Sequence, residues 1–168
     1  NTIFIFMSDN GGSRGTSMGP LKGGKGSLYE GGPRTPFLIH WPESIPAGKV
    51  SNEIGVSSDL LPTLAKLCGG KLSGNRIDGH DLSDLFLRPD KAKSPHEGFA
   101  HKGKAYRLGK WKMVGKQLFD LKKDIGETHN LAKEYPEVLK TLSEKTNQFF
   151  SMIEPEIRPH AKMPDPSP

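Results

Sequence analysis

Cysteine and long apolar runs are scarce in this sequence of 168 residues. Cys68 is the only cysteine, so no disulfide can form within the chain. It follows an apolar helical pattern, which predicts a buried structural thiol rather than a reactive one. No stretch approaches the roughly 18 apolar residues of a membrane span, and no basic start with a short apolar run marks a signal peptide. We therefore expect no membrane-spanning segment.

Neither basic nor acidic residues are concentrated in one part of the sequence. The formal charge of +5 arises from 24 basic and 19 acidic residues that are mixed along the sequence. No basic stripe is interleaved with aromatic residues, so we expect no nucleic acid among the partners. The small positive excess favours anionic ligands, although an ordinary solvated surface explains the same excess.

The sequence up to about residue 90 is typical of the last piece of a large α/β layer. It runs from Asn1 straight into an apolar stretch, so we expect it to be part of a longer protein. Residues 2–7 are apolar on both faces, which predicts a strand inside a parallel sheet covered by helices. The next predicted elements are a glycine-rich loop at 13–35, a strand at 36–41, a helix at about 60–67 and a helical turn at 81–87.

The character of the sequence changes after residue 90. Short β-rich runs with tight connections predict a four-stranded antiparallel meander at 98–101, 105–108, 110–114 and 117–121. An amphipathic helix at 136–150 is expected to lie on that sheet. The proline-rich tail at 154–168 predicts an extended or disordered segment. The predicted organisation is an α/β part at 1–90, a small α+β subdomain at 91–153 and a tail at 154–168.

Two adjacent polar residues, Asp9 and Asn10, follow the first predicted strand. Ligands of α/β sheets gather where strands end at their carboxyl side. A carboxylate and an amide oxygen are hard ligands that suit Ca²⁺ or Mg²⁺ rather than Zn²⁺. Asp-Asn-Gly is also a common turn sequence, so these residues alone leave a plain turn open.

Lys25 lies between glycines in the predicted loop. Glycines on both sides let the backbone and the ammonium group come close to an oxyanion, although a lysine on a flexible surface loop gives the same pattern. Glu30 and Arg34 are four residues apart, and we expect an ion pair between them that pins the loop.

Five segments, taken in order, resemble the C-terminal portion of the sulfatases, which belong to the alkaline-phosphatase-like superfamily. They are SDNGG, LKGGKGSLYEGGPRTPFLIHWP, SSDLLPTLAKLCG, DGHDL, and GKWKMV with QLFDLKKDIGETHNLA. Each segment is weak alone, but together they cover nearly the whole chain up to about Phe150. The resemblance implies the last part of a sulfatase α/β sheet layer, followed by a small α+β subdomain with a four-stranded antiparallel sheet and a C-terminal helix.

The resemblance also implies roles for individual residues. Asp9 and Asn10 match the pair that completes the divalent-metal site of the family, usually Ca²⁺, with Mg²⁺ as the other candidate. Lys25 matches the catalytic lysine that contacts the sulfate group of the substrate, whereas Lys22 lies outside the matched position and is expected to be an ordinary loop charge. His101 falls in the subdomain that borders the substrate cleft in this family, which makes it a candidate for substrate binding.

The family's nucleophile is missing from this sequence. It is a formylglycine made from cysteine or serine in a Cys-x-Pro-x-Arg motif, and no such motif occurs here. Cys68 is followed by two glycines and is not that residue. We therefore expect the formylglycine upstream, in a part of the same catalytic domain, and we expect this chain to be inactive alone.

Three functions are compatible with these residues. The first is hydrolysis of sulfate esters, with a sulfated small molecule or glycan as substrate. The second is phosphoryl transfer or phosphonate monoester hydrolysis by a relative in the same superfamily, which the upstream nucleophile motif would distinguish. The third is non-catalytic binding of sulfated polymers through basic residues. The resemblance further implies a secreted, periplasmic or lysosomal location.

Overall fold

The computed structural model of the chain describes residues 1–13, 15–73 and 76–157. Its elements are β1 (Phe4–Met7), β2 (Phe37–His40), α1 (Leu60–Leu67), α2 (Ser83–Leu87), β3 (Gly98–His101), β4 (Ala105–Leu108), β5 (Trp111–Val114), β6 (Gln117–Asp120) and α3 (Pro136–Ile153). No helix among the described residues is long and apolar enough to cross a bilayer. In the predicted tail, Glu154–Glu156 forms a short 3-10 helix, so the prediction of an extended or disordered segment is wrong there, and positions from 158 onward lie outside the described residues.

Strands β1 and β2 form a two-stranded antiparallel sheet. Phe4 lies opposite His40 and Met7 lies opposite Phe37. Within the described residues β1 has no parallel neighbour, and the side chains of Phe4 and Phe6 are 63% and 56% exposed. The prediction of a covered parallel strand is therefore wrong for the described part of the chain. Apolar residues on both faces of a strand indicate that both faces suit burial, but they do not fix the direction of the partner strand.

Helix α1 is held in place by the buried carboxylate of Asp59. The sequence predicted a helix at about 60–67, and the observed bounds agree. Asp59 accepts hydrogen bonds from the backbone N–H groups of Val56 and His80, both at 2.8 Å. Its Oδ2 atom also lies 2.7 Å from Nε2 of His96. This one side chain therefore joins the start of α1 to two later segments.

Cys68 directly follows α1 and is exposed, so the prediction of a buried thiol is wrong. The helix buries Pro62 and Thr63 in its first turn, whereas its C-terminal end points away from the core. The backbone leaves the helix through Gly69 at a φ of 70°. A residue at this end of the helix thus has little to pack against.

Strands β3 to β6 form the predicted antiparallel meander, in the order β3-β4-β5-β6. The turn between β4 and β5 contains Gly109 at a φ of 55°, a left-handed conformation that tight hairpins require. The predicted strand at 110–114 begins one residue later in the structure, and the one at 117–121 ends one residue earlier. Helix α3 continues to Ile153, three residues beyond its predicted end.

One face of the meander packs against α3. Alternate strand residues point to this face, and its buried cluster consists of Tyr106, Met113, Leu118 and Leu142. Trp111 packs at the edge of the cluster. Burying side chains of this size contributes about 1.5–3 kcal/mol each, so this face supplies much of the stability of the subdomain.

The opposite face of the meander is covered by the glycine-rich loop. Ala105, Val114 and Phe119 are buried on this face, and Leu28 and Tyr29 of the loop pack on them. The hydroxyl of Tyr29 donates a hydrogen bond to Oε1 of Gln117 at 2.6 Å. The loop that contains Lys25 is therefore supported by a folded sheet.

Candidate active site

Asp9, Asn10 and Lys25 are brought together by backbone hydrogen bonds. Asp9 and Asn10 directly follow β1, as predicted. The N–H of Gly11 donates to the carbonyl of Gly32 at 2.9 Å, and the N–H of Lys25 donates to the carbonyl of Gly12 at 2.9 Å. The segment after β1 thus lies directly against the glycine-rich loop, and the backbone of Lys25 is hydrogen-bonded to that segment.

Glycine is required where these two segments cross. A Cβ atom on Gly11 would overlap the carbonyl oxygen of Gly31, and one on Gly24 would lie 2.7 Å from the carbonyl oxygen of Gly12. Both partners are backbone atoms, which cannot rotate away as a flexible side chain can. The glycines that the sequence places around Lys25 therefore permit close approach of one backbone to another.

Two adjacent clefts open beside this crossing. A cavity of about 470 Å³ is lined by Asn10, Thr16 and Arg34 among others. A second cavity of about 390 Å³ is lined by Lys25, Ser13 and Thr16. The two share part of their lining, including Thr16, so they are adjacent, with Asn10 lining one and Lys25 the other. Asp9 and Lys25 themselves are exposed.

The side chains of Asp9 and Asn10 suit a hard cation, but they supply only some of the ligands that such a cation needs. Asp9 supplies a carboxylate and Asn10 an amide oxygen, both of which suit Ca²⁺ and Mg²⁺. Calcium prefers about six to eight oxygens. Among the described residues no group of three or more His, Cys, Asp or Glu side chains could hold a metal ion. A complete metal site would need further ligands from outside the described residues.

His101 lies beside the loop, at the end of β3. Burial lowers the pKa of His101 below its usual range, and the positive charges of Lys112 and Lys102 lower it further, while the nearby Ser27 backbone acts in the opposite direction. The ammonium group of the neighbouring Lys102 donates to the carbonyl of Gly26 at 3.1 Å. His101, the predicted substrate residue, is thus a half-buried imidazole favoured in its neutral form, and it lies beside the backbone of Ser27 in the loop.

The loop is anchored by an ion pair that the sequence pattern only partly revealed. The predicted contact between Glu30 and Arg34 is present, at 3.7 Å. The shortest contact of the Glu30 carboxylate, however, is with the ammonium group of Lys112 at 2.7 Å. Both side chains are almost completely buried, and Arg107 approaches the same carboxylate at 3.6 Å. The buried pair of Glu30 and Lys112 fixes the loop to the centre of the meander.

Lys22 is an anchor of the loop, so the prediction of an ordinary loop charge is wrong. Its ammonium group donates to the backbone carbonyl of Glu127 at 3.0 Å. It also lies 4.0 Å from the centre of the Tyr29 ring, within the range of a cation–π interaction. Sequence separation hid these contacts, because Glu127 is 105 residues further along the chain.

The comparisons with known proteins agree on one family. The Sulfatase family profile matches residues 1–70, the region that contains Asp9, Asn10 and Lys25. Human (Homo sapiens) arylsulfatase A is 36% identical over 85% of this chain, and mouse (Mus musculus) steryl-sulfatase is 42% identical over 62% of it. The chain belongs to the sulfatase family. The sulfatase chain spans only 36% of the first relative and 18% of the second, well under two thirds of either.

A similar fold is found among solved structures. The crystal structure of Ps i-CgsB matches 89% of the sulfatase chain with a TM-score of 0.76 and 36% sequence identity, and the match spans 36% of that protein. The predicted fold class, α/β with a four-stranded antiparallel sheet and a C-terminal helix, is confirmed. Most of the chain therefore has a counterpart in a protein of known structure.

Proposed function

We propose that the chain is the C-terminal part of a sulfate-ester hydrolase and contributes metal-binding and sulfate-binding residues to its active site. The observation that carries this proposal is the crossing that places Lys25 against the segment after Asp9 and Asn10. The relatives named above are sulfatases, which favours sulfate esters over phosphonate esters as substrates.

Asp9 and Asn10 are proposed to hold the divalent cation, Ca²⁺ or alternatively Mg²⁺. Asn10 lines the larger cleft and Asp9 precedes it in the chain, so the two provide two oxygen ligands, and the upstream part of the same domain provides the others. A cation bound there would polarise an oxygen of the sulfate group. The exposed Phe4, Phe6 and Leu38 of the two-stranded sheet offer an apolar surface for that upstream part.

Lys25 is proposed to stabilise negative charge on the transferring sulfate group. Its exposed ammonium group borders the smaller cleft, while its backbone is fixed to Gly12. A cation held in place before the reaction stabilises developing charge without reorganising during it. The nucleophile, a formylglycine, is proposed to come from the upstream part.

The substrate is proposed to be a sulfated small molecule or glycan. One solved structure of Ps i-CgsB contains the oligosaccharide k-i-k-neocarrahexaose. In the present chain His101 and Lys102 extend the polar surface beyond the loop, where a sugar next to the sulfated one would lie. A secreted, periplasmic or lysosomal location fits the same proposal.

The first prediction compares this chain with the longer protein that includes the upstream part. The longer protein should hydrolyse a chromogenic aryl sulfate, and chelation with EDTA should abolish the activity, because the metal is required. The isolated chain should show no turnover, because it contains no nucleophile motif. Metal-dependent turnover by the pure chain would contradict the proposal, and preferential hydrolysis of a phosphonate monoester by the longer protein would favour the alternative activity.

The second prediction concerns calcium affinity. Two oxygen ligands fall far short of the six or more that calcium prefers, so the isolated chain should bind Ca²⁺ only weakly, with a Kd above about 1 mM. Isothermal titration calorimetry of the chain and of the longer protein measures the difference. Asp9→Ala in the longer protein should weaken its calcium binding. Micromolar affinity in the isolated chain would show that the site is already complete.

A further inference from the structure

Glu127 is a buried carboxyl group that no part of the proposed chemistry uses. It lies in the loop that follows β6, and its side chain has no solvent exposure. Its backbone adopts a left-handed conformation with a φ of 53°, which a residue other than glycine rarely adopts. A buried acid in a strained position costs stability, so its contacts within the fold indicate what it does there.

Glu127 accepts two hydrogen bonds from the loop that contains Lys25, while its own backbone N–H donates locally to the carbonyl of Asp124. Its Oε2 atom accepts a hydrogen bond from the backbone N–H of Glu30 at 2.7 Å. Its backbone carbonyl accepts a hydrogen bond from the ammonium group of Lys22 at 3.0 Å. Glu127 therefore holds both ends of the loop segment from Lys22 to Glu30, and Lys25 lies within that segment.

Hydrogen bonds inside the segment connect these two ends to Lys25. The N–H of Gly31 donates to the carbonyl of Lys22 at 2.8 Å, which closes the segment into a ring. The N–H of Ser27 donates to the carbonyl of Gly24 at 2.8 Å, on either side of Lys25. A displacement of Glu30 or Lys22 would therefore also displace the backbone of Lys25, because these hydrogen bonds connect the three residues.

The second oxygen of the Glu127 carboxyl group, Oε1, is buried and has no hydrogen-bond partner among the described residues. Burial raises the pKa of Glu127, while the Glu30 N–H and the charge of Lys112 act in the opposite direction. The neutral acid form is therefore favoured more than in a solvated glutamate. Within the described residues, the bond from the Glu30 N–H is thus the one hydrogen bond that this carboxyl group accepts.

We propose that Glu127 is a positioning residue for Lys25, and that it acts by accepting the Glu30 N–H and the Lys22 ammonium group. This inference rests on the proposed role of Lys25 in sulfate-ester hydrolysis. Glu127 touches neither substrate nor metal in this arrangement. Its effect on turnover passes through the position of the lysine.

The test compares Glu127→Leu with Glu127→Gln in the longer protein. The two side chains have similar size, but only glutamine retains an acceptor for the Glu30 N–H. Glu127→Leu should lower kcat about tenfold to a hundredfold, the usual cost of misplacing a reacting group by a fraction of an ångström to one ångström. Glu127→Gln should stay within about threefold of the wild type, because it mimics the neutral acid. Glu144→Leu, an exposed change on α3, is the matched control and should leave kcat unchanged.

A double-mutant cycle separates positioning from general destabilisation. In a Lys25→Ala background, Glu127→Leu should cost less than about threefold, because the group it positions is gone. The same loss in both backgrounds, or equal losses for leucine and glutamine, would overturn the inference. If the leucine variant fails to fold, Lys22→Met replaces it in the cycle, since it removes the other contact to Glu127. If Lys25→Ala itself leaves turnover unchanged, the proposed function of the loop fails, and the inference fails with it.

Discussion

Replacing Lys25 by alanine in the longer sulfatase should lower kcat about a hundredfold to a thousandfold, or roughly 3–4 kcal/mol in the activation barrier. The loss follows from removing a cation whose backbone is hydrogen-bonded to Gly12, in the segment after Asp9 and Asn10. The Lys25 side chain is exposed, so the folded structure should hardly change. Steady-state kinetics with an aryl sulfate measure the effect, and thermal melts exclude unfolding.

A suitable control for this experiment is Lys133→Ala, in the exposed turn before α3. Lys22 is close in sequence but unsuitable, because its ammonium group bonds to Glu127 and contacts Tyr29. Lys25→Arg should restore only part of the activity, since a planar guanidinium places its donors differently from a compact ammonium group. Equal and small losses for Lys25→Ala and Lys133→Ala would show that Lys25 has no role in catalysis.

Lys112→Met should destabilise the chain by about 3–5 kcal/mol. The substitution removes the ammonium group that lies 2.7 Å from the Glu30 carboxylate and leaves a buried charge with only two more distant guanidinium groups near it. Breaking one side of a buried ion pair typically costs this much, because the remaining charge stays without compensation. Chemical denaturation followed by circular dichroism measures the change in the free energy of unfolding.

Two further variants test the reason for that loss. Lys112→Met combined with Glu30→Gln should recover part of the stability, because the double variant no longer buries an unpaired charge. Lys93→Met breaks the exposed pair with Glu53 and should cost less than about 1 kcal/mol. If Lys112→Met costs no more than Lys93→Met, the buried pair is not an anchor of the loop.

The elements of the chain were largely predictable because their signals are local. Helix α1 has an apolar face and a glycine at its end, and the meander has alternating strands with glycine turns. The segment with Asp9, Asn10 and Lys25 was identified by resemblance, and the structure adds the backbone bonds that bring its parts together. The roles of these three residues and of His101 remain predictions for the experiments above.

The packing of the loop on the meander could not be predicted from local patterns. Glu30 and Lys112 are 82 residues apart, and nothing in either segment alone specifies the other as its partner. The sequence contained one sign of this ion pair. Lys112 lies within the otherwise apolar strand Trp111–Val114, on the face of the sheet that the loop covers. A lysine at such a position requires a buried acid nearby. The exposed Cys68 and the antiparallel β1 were missed because apolar patterns do not report what covers them.

The support that the meander gives to the loop also affects when the loop can become ordered during synthesis. Lys22 and Glu30 leave the ribosome long before their partners Lys112 and Glu127, which follow 82 to 105 residues later. Until those residues emerge, the loop lacks the sheet that supports it, and Lys22 and Glu30 lack these two partners. Lys25 therefore reaches its final position only after the segment up to Glu127 has been translated, because the anchors of its loop lie there.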